Sequence, residues 1–330
     1  MAQGRSAPLP FDFRRQFVDR IVHHVEKAII GKRESIEMAV IAFLCGGHVL
    51  LEDVPGVGKT VLVRALAKTA DAAFKRIQCT PDLLPSDVTG VSVYNRQSGQ
   101  FEFRPGPVMT NILLADEMNR ASPKTQSALL EAMEERQVTV DGETYRLPEP
   151  FLLLATQNPF EHEGTYPLPE AQLDRFLLRI RLGYPEEKHE VEMLERSQER
   201  NPLDEVKTVV LREEWLQLQR EVRAVHMDDT LRHYIVRLTS ATRTHPDVAL
   251  GASPRASLSL MRTAQARALC SGRTYVVPDD IKQMAVATMA HRLVLQPEAR
   301  YTGKSAESVV RQLLAAVPVP ATQAASGGSR

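Results

Sequence analysis

The feature that most restricts how this chain can fold is the run Val49-Leu50-Leu51-Glu52-Asp53-Val54-Pro55-Gly56-Val57-Gly58-Lys59-Thr60. A short apolar segment enters a glycine turn and leaves it as a helix opening near Gly58, the layout of a phosphate-binding loop. Glycines let backbone N–H groups curl around phosphate oxygens, and a helix start adds free amides and a positive dipole end. Lys59 is placed to reach β- and γ-phosphates, and Thr60 offers a hydroxyl to Mg²⁺. The pattern G-x-x-x-x-G-K-[ST] is met only in its second half, because Asp53 stands where the first glycine belongs. Taken alone, the stretch also suits a strand–turn–helix corner with an incidental lysine.

A second stretch narrows the choice. Asn111-Ile112-Leu113-Leu114-Ala115-Asp116-Glu117 reads as a buried strand delivering two acids to the sheet edge where ligands bind in open α/β folds. Strands often end in acids, but after a Gly-Lys-Thr loop this pair acquires roles. Asp116 can hold Mg²⁺ through its water shell, and Glu117 can polarise a water for attack on a γ-phosphate. The buried strand Phe151 to Ala155 runs into Thr156-Gln157-Asn158-Pro159, so Asn158 reaches the same edge. There it can orient the attacking water, or it is a turn asparagine before proline.

Around these stretches the chain reads as an α/β protein. Phe17, Ile21, Val25 and Ile29 recur every four residues and predict a helix ending at Gly31. A second helix is expected over Ile36 to Cys45, a third over Val61 to Ala70, and a strand over Phe74 to Gln78. Alternation in Val88 to Phe103 and around Asp141-Gly142 in Gln137 to Leu147 predicts two β-hairpins, which must project from a parallel sheet as inserts. Ser122 and Pro123 mark a helix start before Ala128, Leu129, Ala132 and Met133. A further strand is expected over Phe176 to Leu182, and Pro185 marks a boundary after which helical patterns dominate. The expected domains are a nucleotide-binding core with N-terminal helices over 1–185, an all-helical domain over 186–318 and a disordered tail over 319–330.

The chain's 330 residues suffice for two such domains. Forty-one Lys+Arg against 41 Asp+Glu argue against broad attraction to nucleic acid or anionic lipid. Cys45, Cys79 and Cys270 are widely spaced, lack metal-ligand spacing, and read as reduced buried thiols. No export signal is read in Met1 to Arg15, and the apolar stretch Met38 to Leu51 is too short to span a membrane. A soluble, cytoplasmic protein is expected. His23 and His24 read as solvated, and His162 has no second histidine four residues on to make a zinc-hydrolase helix.

Gly58-Lys59-Thr60, Asp116-Glu117, Thr156-Gln157-Asn158-Pro159, Leu173-Asp174-Arg175-Phe176 and Ser253-Pro254-Arg255-Ala256 together resemble the MoxR family of AAA+ ATPases, over about Val18 to Val317. Asp53 is similar to what that family carries at the departed position. The resemblance implies a P-loop AAA+ core, a parallel sheet with flanking helices and two hairpin inserts, followed by an all-α lid. It implies ATP and Mg²⁺ as cofactors, held by Asp53, Val54, Pro55, Gly56, Val57, Gly58, Lys59, Thr60 and Val61, with Ile30 and Gly31 on the adenine side. Thr60 and Asp116 fall to the metal, and Glu117 to the catalytic base. By motif match Asn158 takes the first sensor role, Arg255 the second, and Arg175 that of a finger reaching a neighbour's nucleotide, with Arg120 in reserve. Arg175 and Arg255 also suit ordinary surface ion pairs.

The resemblance further implies a ring, expected as a homo-hexamer. It implies chaperone-like remodelling of a protein client with a von Willebrand factor A-domain partner, in metal-cofactor insertion or complex assembly. A nucleotide-gated scaffold with slow turnover would share the binding residues, and a nucleic-acid motor would share the chemistry. The Gln137 to Leu147 hairpin sets Arg146 against Asp141 and Glu143, which gives no basic track and disfavours the motor.

Overall fold

The computed structural model describes residues 11–158, 164–199 and 202–320; the readings at Pro159 and His162, the first ten residues and 321–330 of the expected tail lie outside them. The chain divides into two compact units, Met1–Arg223 and Ala224–Arg330.

The first unit opens with α1 (Phe11–Glu26) and α2 (Arg33–Cys45), then runs through β1 (Val49–Glu52), α3 (Lys59–Thr69) and β2 (Phe74–Gln78). A short α4 (Pro85–Thr89) leads to a hairpin of β3 (Gly90–Asn95) and β4 (Gln100–Pro105), followed by β5 (Ile112–Asp116) and α5 (Pro123–Glu135). A second hairpin, β6 (Gln137–Val140) and β7 (Glu143–Arg146), precedes β8 (Leu152–Gln157), α6 (Glu170–Leu173) and β9 (Leu178–Ile180). Helices α7 (Glu187–Glu199) and α8 (Arg212–Ala224) follow.

Five strands form one parallel sheet in the order β2-β5-β8-β1-β9. From β1 the chain travels to the far edge, returns through β5 and β8, and crosses over β1 to β9. The reversal beside β1 is a topological switch point, where open α/β sheets bind ligands at the strands' carboxyl ends. Register brings the motif residues together there, with Gln78 opposite Asp116 and Leu51 opposite Thr156. The apolar residues of β1, β5 and β8 are buried, as expected of strands covered on both faces. Edge strand β2 exposes Lys75 and Arg76, which discourages pairing with another sheet.

Both hairpins form separate two-stranded sheets, as their patterns predict. Asp141 and Gly142 both have positive φ, 52° and 84°, the two-residue turn that Asp-Gly favours. The inserts meet each other, with the Phe103 and Tyr145 rings stacked 3.9 Å apart. Helix α1 ends at Glu26, ahead of the Gly31 expected from periodicity. Ile29 lies beyond it, still buried.

The units part at Arg223/Ala224, later than the expected 185. Fading strand signals mark the end of the sheet, whereas α7 and α8 still belong to its unit. Trp215 of α8 is fully buried, 4.2 Å from the Phe43 ring and 5.2 Å from that of Phe17.

The second unit comprises α9 (Asp229–Arg243), β10 (Val248–Leu250), α10 (Pro254–Cys270), α11 (Pro278–Met289), β11 (Val294–Leu295), α12 (Pro297–Tyr301) and α13 (Ala306–Ala316). It is helical except that β10 and β11 pair antiparallel. Strands of two and three residues are too short to leave a periodic trace, so the all-helical expectation missed them. Arg273 clasps the buried Asp280 with two 2.7 Å bonds. None of the three cysteines forms a disulfide, and only Cys79 is buried, Cys45 and Cys270 being partly exposed, which corrects the expectation of burial for those two.

Candidate functional site

The loop leaving β1 turns at Gly56 and Gly58, whose φ values of 85° and 92° are strained for any residue with a Cβ. Gly58 caps α3, and a Cβ there would also sit 3.2 Å from Ile29 Cδ1. The first amides of α3, without intrahelical partners, therefore begin at the glycine turn. Lys59 Nζ donates to the Asp53 carbonyl at 2.7 Å, bridging its own loop. Together with Thr60 and Val61, these residues form one wall of a 360 Å³ cavity.

The opposite wall is Arg76, Asp116, Glu117, Thr156 and Asn158. An adjoining cavity of 270 Å³ shares Pro55, Gly56, Gly58 and Val61 with the first and is closed by Ile29, Ile30, Val57, Tyr184 and Met193. The first cavity is lined with phosphate- and metal-binding chemistry. The second is mostly apolar and suits a planar base. Gly31 does not line it: its φ is 71°, and the His189 ring occupies the space where a Cβ would project.

Asp53 and Val54 line neither cavity. The Asp53 carboxylate is committed elsewhere. One oxygen accepts the Leu182 and Gly183 N–H groups at 2.6 Å each, and the other accepts the Val54 N–H at 2.9 Å. Asp53 thus fastens the base of the loop to the chain leaving β9, a bond that a glycine could not make. The sequence reading set it among the nucleotide contacts because it sits in the loop; its contacts make it the loop's anchor.

The acid pair is held in detail. Thr156 Oγ1 donates to Asp116 Oδ1 at 2.6 Å and accepts the Glu117 N–H at 2.8 Å. Glu117 has φ 56° and ψ 48°, a left-handed backbone that costs a non-glycine residue about 1–3 kcal/mol and recurs at functional sites. Cys79 lies beneath, its N–H donating to the Asp116 carbonyl at 2.8 Å. Burial, reinforced by Asp116 and Glu117, pushes the Cys79 thiol up to about 12, so it stays neutral. Asn158 is buried at the end of β8, on the same wall.

Two arginines complete the wall's electrostatics. Arg76 of β2 donates to Asp116 Oδ2 from Nε at 3.1 Å and from a terminal nitrogen at 2.6 Å, and also bonds Gln78. Arg120 pairs with Glu117 at 3.1 Å. Sequence reasoning missed Arg76 and gave Thr156 no role. Arg76 carries no motif, and its one signal is a charge in an edge strand two residues before the strand end. Thr156 was quoted only as part of the segment Thr156-Gln157-Asn158-Pro159.

Arg175 does not line the cavity. It pairs with Glu134 in the last turn of α5, and its buried Nε has no acceptor among the described residues. Arg255 lies in the second unit, exposed in the first turn of α10 after the Ser253 cap.

Residues 48–178 match the ATPase family associated with various cellular activities (AAA), and residues 240–313 match an AAA lid domain. Chaperone MoxR1 of Mycobacterium tuberculosis is 42% identical over 93% of this chain and 83% of its own length. Protein MoxR of Methylorubrum extorquens is 32% identical over 93% and 96%. A crystal structure of a Cytophaga hutchinsonii protein superposes with a TM-score of 0.88 at 42% identity, covering 94% of this chain and 97% of that one.

Proposed function

The chain belongs to the MoxR family of AAA+ ATPases, and from that premise we propose that it binds and hydrolyses MgATP to do conformational work on protein clients. The observation that carries this reading is the convergence of Lys59, Thr60, Asp116, Glu117 and Asn158 on one 360 Å³ cavity at the sheet's switch point. These residues fit the group. The glycine loop and the start of α3 face oxyanions with N–H groups, Lys59 adds a cation, and a hydroxyl and a carboxylate stand together for a hard divalent ion.

When bound, the metal neutralises charge on the transferring phosphoryl group. The chain's own residues do the rest. Lys59, which donates to the Asp53 carbonyl, would hold the phosphates. Thr60 and Asp116 would hold the ion, and Glu117 would accept a proton from the attacking water that Asn158 would orient. Glu117 must release Arg120 to act as a base, and Asp116 shares its oxygens with Arg76 and Thr156. The base is therefore restrained until a ligand arrives.

Lys59→Ala is expected to abolish nucleotide binding, whereas Glu117→Gln keeps binding and loses turnover by about 10²–10⁴, the range for a general base. Calorimetry and phosphate release read the two. Equal ATP affinity in wild type and Lys59→Ala would remove the site assignment.

Arg175, outside its own cavity and with Nε unpartnered among the described residues, is read as the group that serves a neighbouring subunit's nucleotide in a homo-hexameric ring. Arg175→Ala and Glu117→Gln chains should each be inactive alone. Mixed, they should recover part of the activity, because some boundaries then pair an intact Arg175 with an intact Glu117. If subunit exchange is verified by light scattering and no mixing ratio recovers phosphate release, the finger is another residue. Arg255 is read as the second sensor, carried by the helical lid. Remodelling of a protein client, with a von Willebrand factor A-domain partner and in metal-cofactor insertion or complex assembly, completes the proposal. Work on such clients in the cytoplasm is part of the proposal. Among the described residues no helix is long and apolar enough to cross a membrane.

A further inference from the structure

Another cavity lies at the sheet's other edge, where the strands begin. It has a volume of 480 Å³ and is lined by Arg136, Arg220 and Arg223, with Glu149 as the one carboxylate. Gly46 stands just before β1 and Pro150 just before β8, so the cavity sits against the amino ends of the two central strands.

Arg136 is built into the fold. It follows α5 with φ 55°, and its guanidinium donates to the Phe151 carbonyl at 3.0 Å and to the Gly46 carbonyl. It makes no ion pair among the described residues, and burial lowers its pKa, with Glu149 opposing and Arg223 adding to the effect. Arg220 makes one hydrogen bond, from Nε to the Leu216 carbonyl of its own helix at 3.2 Å. The exposed Arg223 makes no hydrogen bond or ion pair among the described residues. Three guanidinium groups thus gather with a single carboxylate. Like charges placed together repel one another, and an anion among them would offset that repulsion.

The geometry points to a binding site for a small phosphate-bearing anion in this cavity, separate from the nucleotide site. Guanidinium forks match phosphate oxygens in pairs, and an excess of two positive charges matches a phosphomonoester near neutral pH. The side walls of Leu216, Pro150 and Cys45 would take the organic part of such a molecule. The volume falls in the range of small-molecule pockets. The inference does not depend on the ATPase reading, because no residue of the glycine loop or the acid pair takes part.

The test uses the full chain carrying Lys59→Ala, so that the glycine loop contributes no phosphate binding, and titrates phenyl phosphate by calorimetry at fixed salt. Saturable binding is expected, weakened at least about tenfold by Arg220→Ala with Arg223→Ala, the loss of two charge-assisted contacts. These two side chains are exposed and hold no backbone group of another element, so circular dichroism should be unchanged. Benzoate, with the same ring and one charge, should bind at least about tenfold more weakly than phenyl phosphate. Binding that survives the double substitution, no binding at millimolar phenyl phosphate, or benzoate binding equally well would overturn the assignment.

Discussion

The two ends of one parallel sheet use arginine in opposite ways. At the carboxyl edge the arginines near the cavity meet acids: Arg76, in its wall, holds Asp116, and Arg120 holds Glu117. At the amino edge Arg136, Arg220 and Arg223 converge on backbone carbonyls or on solvent, with Glu149 alone to balance them. Both edges are fed by the same buried strands, so the contrast does not come from the core. It teaches that the carboxyl edge holds its charges in pairs, while the amino edge carries more cations than acids on a fixed frame, among the described residues.

Thr156→Val attacks the stored arrangement most directly. The hydroxyl is buried, and its loss removes the donor to Asp116 and leaves the Glu117 N–H without an acceptor. A buried donor left unsatisfied costs about 1–3 kcal/mol. Denaturant unfolding should register that loss, and phosphate release should fall with it because the base is no longer held in its left-handed backbone. Unchanged stability would mean that the carboxyl edge is not held as described.

The next effect belongs to the amino edge. His48 is buried there, its Nδ1 accepting the Leu153 N–H at 2.9 Å and its Nε2–H donating to the Met133 carbonyl at 3.0 Å. Burial, with Arg136 adding to it, lowers its pKa from 6.5 to about 3. The folded chain therefore refuses a proton that the unfolded chain accepts below pH 6.5. Stability is unaffected above that pH and falls as pH drops toward 3, by about 1.4 kcal/mol per unit for one proton. Unfolding at pH 7.5 and 5.5 should show this dependence in wild type and a shallower one in His48→Gln, which carries no titrating ring.

The smallest effect separates the edges by sign. Arg76→Gln removes a half-exposed partner of Asp116 and should destabilise by up to about 1 kcal/mol. Arg223→Gln removes a cation with no hydrogen bond or ion pair among the described residues, so stability should hold or rise, within about 0.5 kcal/mol. Equal losses from both substitutions, in paired denaturation curves, would erase the distinction.

Much of this was legible in the residues alone. The glycine turn, Lys59 and Thr60 are contiguous, and a buried strand ending in Asp116-Glu117 announces itself by its apolar run. Both hairpins were readable because Asp141-Gly142 and the alternation around Asn95 to Gln100 are local. Family membership followed from the same short motifs. In each case the information lies within a dozen neighbouring residues, and backbone sterics and periodicity act at that range.

Contacts between distant segments were decided only by the tertiary structure. Asp53 looked like a loop residue until β9 brought Leu182 and Gly183 to its carboxylate. Arg76 and Thr156 reached Asp116 because β2 and β8 flank β5, an order that equally buried strands do not encode in their composition. Trp215 carried α8 into the first unit, past the point where the strand pattern ended. The arginine cavity gathers residues from positions 45 to 223. The physical reason is the same throughout. Local sequence sets which elements form, but which side chains meet depends on the packing of elements whose buried faces look alike along the chain.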